Sequence, residues 1–158
     1  LNNWFPRPSY VEFRGGYASH ATGMANTGKT LAVYNKMTGS NQMFCYTSGG
    51  IYNVSSAGAV GASVLARTNG KHQWTMFGDG TNNWLIACNG VDKPAYYDGT
   101  TWTAVDGGTS PALTGVTTTE LIDAISFKGR LFFIQRASMS FWYLAAGAAG
   151  GAVPDFDL

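Results

Sequence analysis

The sequence predicts an all-β protein of antiparallel, propeller-like blades, about three in this chain and part of a larger propeller. Three observations carry that expectation. Of 158 residues only 12% are charged, while 21 are glycine and 14% are aromatic. Glycine, Thr, Ser and Asn punctuate turns and disfavour helix interiors, and large aromatics fit pleated surfaces. An order of strand, turn, apolar strand, turn, aromatic strand then recurs three times. Its middle strands sit at Phe44, Leu85 and Phe132, spaced by 41 and 47 residues, which matches the ~40–50-residue period of propeller blades. Finally, Ser48-Gly-Gly50, Asn89-Gly90 and Asp98-Gly99 stand between the strands and supply the positive φ of tight hairpins.

Residues 1–22 read as an extended arm, because Pro6 and Pro8 fix φ and remove ladder donors, leaving an arm or an edge strand. The first blade, 23–65, holds strands at Thr30–Tyr34, Met43–Tyr46 and Gly50–Val54, with a weaker fourth at Gly58–Leu65 that is rich in Gly and Ala. The second, 66–108, holds Trp74–Phe77, Trp84–Cys88, Pro94–Tyr97 and Trp102–Val105. The third, 109–158, holds Leu121–Phe127, Leu131–Ile134 and Phe141–Leu144. Thr119-Glu-Leu-Ile-Asp123 carries a helix-start signal, but the β-branched content and the Lys128-Gly129 turn favour a strand from Leu121. Ala145–Pro154 is almost all Gly and Ala. Three blades do not close a propeller, so the chain is expected to be part of a larger polypeptide or a processed piece.

Charge is divided along the chain. Up to Gly78 six basic residues face Glu12 alone, and from Asp79 onward four basic residues face eight acids. Such asymmetry suits head-to-tail stacking or a face near DNA phosphates, although no basic cluster matches a nucleic-acid footprint. Cys45 and Cys88 lie in apolar stretches and read as free, buried thiols. No apolar run approaches the ~20 residues that span a bilayer, and the opening residues lack signal-peptide regions, so a soluble protein without a membrane-spanning segment is expected.

Motifs for chemistry are weak. Gly23-Met-Ala-Asn-Thr-Gly28-Lys29-Thr30 satisfies the G-x-x-x-x-G-K-[ST] pattern, but no buried strand precedes it and no long helix follows, so its glycines read as a loop. His20 and His72 form no metal or nucleophile motif, and Asp79, Asp92, Asp98 and Asp106 sit where Asp caps its own turn. Asn53-Val-Ser55 fits a glycosylation sequon on a predicted strand. Trp84, Tyr96, Tyr97, Trp102, Phe141 and Trp142 offer either a stacking platform or blade-to-blade core, and alternation favours core. Catalytic, cofactor-binding and metal-binding residues are not expected, nor is enzyme activity. The interface candidates are Trp4, Phe5, Arg7, Tyr10 and Arg14, residue types enriched at protein interfaces on an arm stiffened by proline.

Several segments also resemble a family, the tail nozzle, tail tubular or packaged-DNA stabilisation proteins of short-tailed bacteriophages. They are Asn3-Trp-Phe-Pro-Arg-Pro8, Gly16-Tyr-Ala-Ser-His-Ala-Thr-Gly23, Asn89–Trp102, Phe127-Lys-Gly-Arg-Leu-Phe-Phe133 and Phe141-Trp-Tyr-Leu144. Family members are several times longer, so the likeness covers an N-terminal part. The resemblance implies a virion structural protein in the phage tail, assembled in the host cytoplasm. Its copies would form a ring below the portal and adaptor, near packaged DNA that it helps retain and release, without specific DNA contacts. The alternative is a host-surface glycan-binding or glycan-cleaving propeller, with its aromatics beside paired carboxylates.

Overall fold

The computed structural model describes residues 4–13 and 15–156. Among these the fold is all-β, and a single 3-10 turn at Thr118–Glu120 is its one helical element. The arm contributes β1 (Trp4–Pro6) and β2 (Val11–Phe13), followed by β3 (Ala21–Thr22). The first meander is β4 (Thr30–Tyr34), β5 (Gln42–Thr47) and β6 (Gly50–Asn53), after which comes β7 (Gly58–Ala59). The second is β8 (Gln73–Gly78), β9 (Asn83–Cys88), β10 (Ala95–Tyr97) and β11 (Trp102–Ala104). Next are β12 (Leu113–Thr114) and the third meander's β13 (Leu121–Phe127), β14 (Arg130–Gln135) and β15 (Phe141–Tyr143). β16 (Gly151–Ala152) and β17 (Asp155–Phe156) end the order, and β17 pairs antiparallel with β15 as the third meander's fourth strand.

The turns explain the registers. Gly90 and Gly99 adopt φ of 70° and 98° in the Asn89-Gly90 and Asp98-Gly99 turns, a region that a Cβ disfavours. Asp98 accepts from the backbone N–H groups of Thr100 and Thr101, and Asp79 from those of Thr81 and Asn82. Both turns are therefore fixed locally by an Asp that closes on its own chain. The segment from Leu121 is strand, and the cap signal before it yields only the 3-10 turn.

The meanders stack face to face in chain order because each carries apolar side chains at alternate positions. Ala32, Tyr34, Phe44, Tyr46 and Ile51 of the first pack against Leu85, Ala87, Ala95, Tyr97 and Trp102 of the second. The opposite face of the second, through Phe77, Ile86, Cys88 and Tyr96, packs against Leu121, Ala124, Leu131, Phe133 and Trp142 of the third. A smaller cluster of Cys45, Tyr52 and Val54 on the first meander's outer face is covered by Ala21, Met24 and Val60.

Gly58–Leu65 departs from the expected fourth strand of the first blade. Gly58 and Ala59 pair parallel with Ala21 and Thr22, and only Leu65 bridges back to Ile51. A stretch rich in Gly and Ala offers the sheet few large side chains to bury, so backbone pairing elsewhere prevails. The same device recurs at the third meander, where Gly151 and Ala152 pair parallel with Leu113 and Thr114. Both use the tripeptide Gly-Ala-Val. Val60 donates to the Thr22 carbonyl at 2.9 Å and Val153 to the Thr114 carbonyl at 2.8 Å.

Candidate assembly surfaces

The arm folds back on itself as an antiparallel hairpin, Trp4 opposite Phe13 and Pro6 opposite Val11, closed by the Arg7 N–H donating to the Tyr10 carbonyl at 2.8 Å. Proline is tolerated here because the strand has a free edge. Alternation sorts the side chains into two faces. Trp4, Pro6, Val11 and Phe13 form one, wholly apolar, with the Trp4 and Phe13 rings 4.0 Å apart. Phe5 and Glu12 lie on the other, where Arg7 Nε pairs with Glu12 Oε2 at 2.9 Å. Every described arm residue from Trp4 to Phe13 is exposed. Four of the sequence-derived interface candidates, Trp4, Phe5, Arg7 and Tyr10, thus share one hairpin; Arg14 lies outside the described residues.

A second apolar surface, absent from the sequence-derived candidates, is the outer face of the third meander. Ile125, Phe132 and Tyr143 stand in one cross-strand row, and Ile134, Phe141 and Phe156 in the next. Phe141 and Phe156 stack with centroids 5.2 Å apart, Phe132 lies 5.9 Å from Phe141, and Arg130 covers Tyr143 at 5.8 Å. The signal in the sequence was alternation: Leu131 and Phe133 face inward, so Phe132 and Ile134 must face out.

The remaining motif residues serve the fold. Lys29 donates its backbone N–H to the Tyr46 carbonyl at 2.8 Å, and Thr30 opens β4, so the Gly23–Thr30 loop delivers a strand where a phosphate loop delivers a helix. Asn53 Oδ1 accepts from the Ser55 N–H and hydroxyl in a local turn. His20 donates through Nε2 to the Val54 carbonyl at 2.9 Å, pinning the end of the arm to the first meander. Tyr96, Tyr97, Trp102 and Trp142 are buried between meanders, whereas Phe141 belongs to the outer face. A depression of ≈ 530 Å³ at the first meander has Lys36 as the one charged side chain in its lining.

A polar network ties the linker between the first two meanders to the turn after β9. Asp92 accepts from the Thr68 N–H and hydroxyl, the Asn69 N–H and the Asn89 amide. Burial raises the Asp92 pKa, yet these donors outweigh it and hold the carboxyl below its ordinary range. Arg67, also buried, donates through Nη1 to the Lys93 carbonyl at 2.7 Å. His72 lies tilted against Tyr46 with ring centroids 4.6 Å apart and accepts from the Asn89 amide; burial, reinforced by the Arg67 charge, lowers its pKa to about 4. Among the described residues no group of three His, Cys, Asp or Glu side chains is placed to hold a metal ion.

No protein-family model matches the chain, nor does any curated protein or solved structure.

Proposed function

We propose that this chain is a structural component of a short-tailed bacteriophage tail, a nozzle-like ring element below the portal and adaptor that helps retain packaged DNA and later release it. Its three meanders act as consecutive blades of a propeller-like body. The observation that carries this reading is the serial, face-to-face stack of the meanders, which leaves large aromatic surface at the outer face of the third and on the arm hairpin. Contiguous apolar surface of this kind marks a protein that works through contacts with other chains. The resemblance of the Asn3–Pro8, Asn89–Trp102 and Phe127–Phe133 segments to the nozzle-like proteins gives those contacts a setting. In this role the body supplies shape and interfaces, and neighbouring tail proteins meet the hairpin.

The test is incorporation. In the phage that encodes the chain, deletion of residues 1–14 is expected to give empty or tailless heads. Normal incorporation with full DNA retention would sink the role assigned to the arm.

A further inference from the structure

We propose that one hairpin-turn end of the meander stack is a binding track for a neutral, linear oligosaccharide. The inference goes beyond the proposed function, and the track shares no residue with the arm hairpin or the third meander's aromatic outer face.

Four depressions join at this end. The one of ≈ 530 Å³ at the first meander shares Gln42 and Asn53 with one of ≈ 400 Å³, and that one shares Thr100 with one of ≈ 210 Å³. The third shares Asn82 with one of ≈ 460 Å³, which reaches Ala112 and Gly150, the residues just before β12 and β16. The β4–β5, β8–β9 and β10–β11 connections belong to antiparallel hairpins in stacked sheets, and residues of all three line the ≈ 210 Å³ depression. Sheets lie about 10 Å apart, so a track running from the first meander toward the third extends about 20 Å, room for several pyranose rings in line.

The walls are polar but nearly uncharged. Their charged side chains are Lys36, Asp79 and Asp98, and both carboxylates are occupied. Asp98 accepts from the Thr100 and Thr101 N–H groups, and Asp79 from those of Thr81 and Asn82 and from the Trp84 indole N–H at 2.8 Å. One ammonium is not the row of cations that a nucleic-acid backbone calls for. Carboxylates closed on their own turns suit binding without cleavage, which takes a pair of free carboxyl groups across the scissile bond.

What the walls offer is amides fixed in place. Asn41 Oδ1 accepts the Lys36 N–H at 3.1 Å and Asn53 Oδ1 the Ser55 N–H at 3.0 Å, leaving each amide NH2 as a donor. Asn83 is held the other way round, since its NH2 donates to the Asn35 carbonyl at 3.3 Å and leaves its own oxygen as an acceptor. Sugar hydroxyls donate and accept at once, and groups already immobilised lose little entropy on meeting them. Trp84 and Trp102 wall two of the depressions, apolar surface for the C–H face of a ring. Trp102 is 8% exposed and its indole N–H has no partner among the described residues, which adds a donor.

Nuclear magnetic resonance titration of the full, 15N-labelled chain tests the proposal. The probes are neutral hexasaccharides with gluco-, manno-, galacto- and xylo-backbones at about 5 mM, beside hexagalacturonate and an oligothymidylate. At least one neutral hexamer should shift the amides of Asn53, Thr100 and Asn82 together, and its monosaccharide should bind at least about tenfold more weakly, since linked rings bind as one ligand. Raising NaCl from about 50 to 500 mM should leave the affinity unchanged, because no ion pair is screened. Thr100→Trp, at an exposed position where two depressions meet, should weaken binding at least about tenfold by obstruction. Asn53→Ala should weaken it about three- to tenfold through lost hydrogen bonds. Circular dichroism and the melting temperature report whether each variant is folded, and Thr100→Trp stands alone if Asn53→Ala unfolds. No shift with any neutral hexamer, shifts confined to other surfaces, a preference for hexagalacturonate or oligothymidylate, or full affinity in Thr100→Trp would each overturn the proposal. Virion incorporation is read without sugar and sugar binding on the purified chain, so the two readings fail separately.

Discussion

Gly70 lies against the backbone of Thr47: a Cβ at residue 70 would stand 2.8 Å from both Thr47 Cα and its carbonyl carbon. The linker between the first two meanders therefore grazes the end of β5 where only hydrogen fits. Backbone yields less than a side-chain tip, so Gly70→Ala is expected to destabilise by about 2 kcal/mol or more. Gly61→Ala is the control, since a Cβ there meets nothing within 4 Å. The midpoints of urea unfolding should separate the two variants, with Gly70→Ala alone shifted well downward.

His72 should make stability depend on pH between about 6.5 and 4. Its folded pKa, about 4, lies below the ordinary imidazole value of 6.5 because burial disfavours the imidazolium. Between those values the unfolded chain binds more protons than the native one, so stability falls as pH falls and is fully present above about 6.5. The loss approaches about 3 kcal/mol at 1.36 kcal/mol per pH unit. Asp92 and Asp79 sit below 3.8 in the fold and act in a lower, separate range. Urea titrations of wild type and His72→Gln at pH 7, 5.5 and 4.5 check this. A slope that persists unchanged in His72→Gln would place its origin elsewhere.

Asp92→Ala should cost more than Asp98→Ala. Asp92 receives donors from Thr68 and Asn69, more than twenty residues away in sequence, and losing it strands those N–H groups beside buried Arg67. A cost of about 2–4 kcal/mol follows. Asp98 closes only its own turn, for about 1 kcal/mol. Equal unfolding midpoints in the two variants would show that the linker network contributes nothing beyond a local cap.

Both thiols should be silent in the folded chain. Cys45 and Cys88 are buried, and burial pushes each thiol pKa upward, most strongly at Cys88. Since the thiolate is the reactive form, a disulfide reagent at pH 8 should label neither until urea is added, after which both react. Rapid labelling of either residue in buffer would contradict the packing described for its meander.

The Gly23–Thr30 loop should bind no nucleotide. Lys29 and Thr30 are committed to the first strand's ladder and to the linker, where Thr30 Oγ1 accepts the His72 N–H at 3.0 Å. Magnesium and ATP at about 1 mM should leave the melting temperature unchanged, since a ligand that binds the native state raises it. A rise that disappears in Lys29→Ala would reverse the assignment.

The three antiparallel meanders were legible because strand alternation and turn chemistry are local: Asn89-Gly90 and Asp98-Gly99 dictate hairpins whatever surrounds them. The two parallel pairs were not. They join residues 37 and 38 positions apart through Gly-Ala segments that carry no hydrophobic period, and the repeated Gly-Ala-Val tripeptide was too short a signal. Of the surfaces, the arm's aromatics were visible as residue types. Their sorting onto one apolar face depends on the Trp4–Phe13 register, which the prolines alone do not set.

The sequence by itself determined that this protein is all-β, where its main strands lie and which residues alternate along them, since those properties arise within ten or so neighbouring residues. The tertiary structure alone decided which face of each sheet meets which neighbour. Phe44 and Leu85, equivalent by spacing, meet across one interface, whereas Phe132, their counterpart in the third meander, points away from the stack. A period of two defines two faces of a strand but does not name them. Only packing one sheet on the next makes one face core and leaves the other exposed.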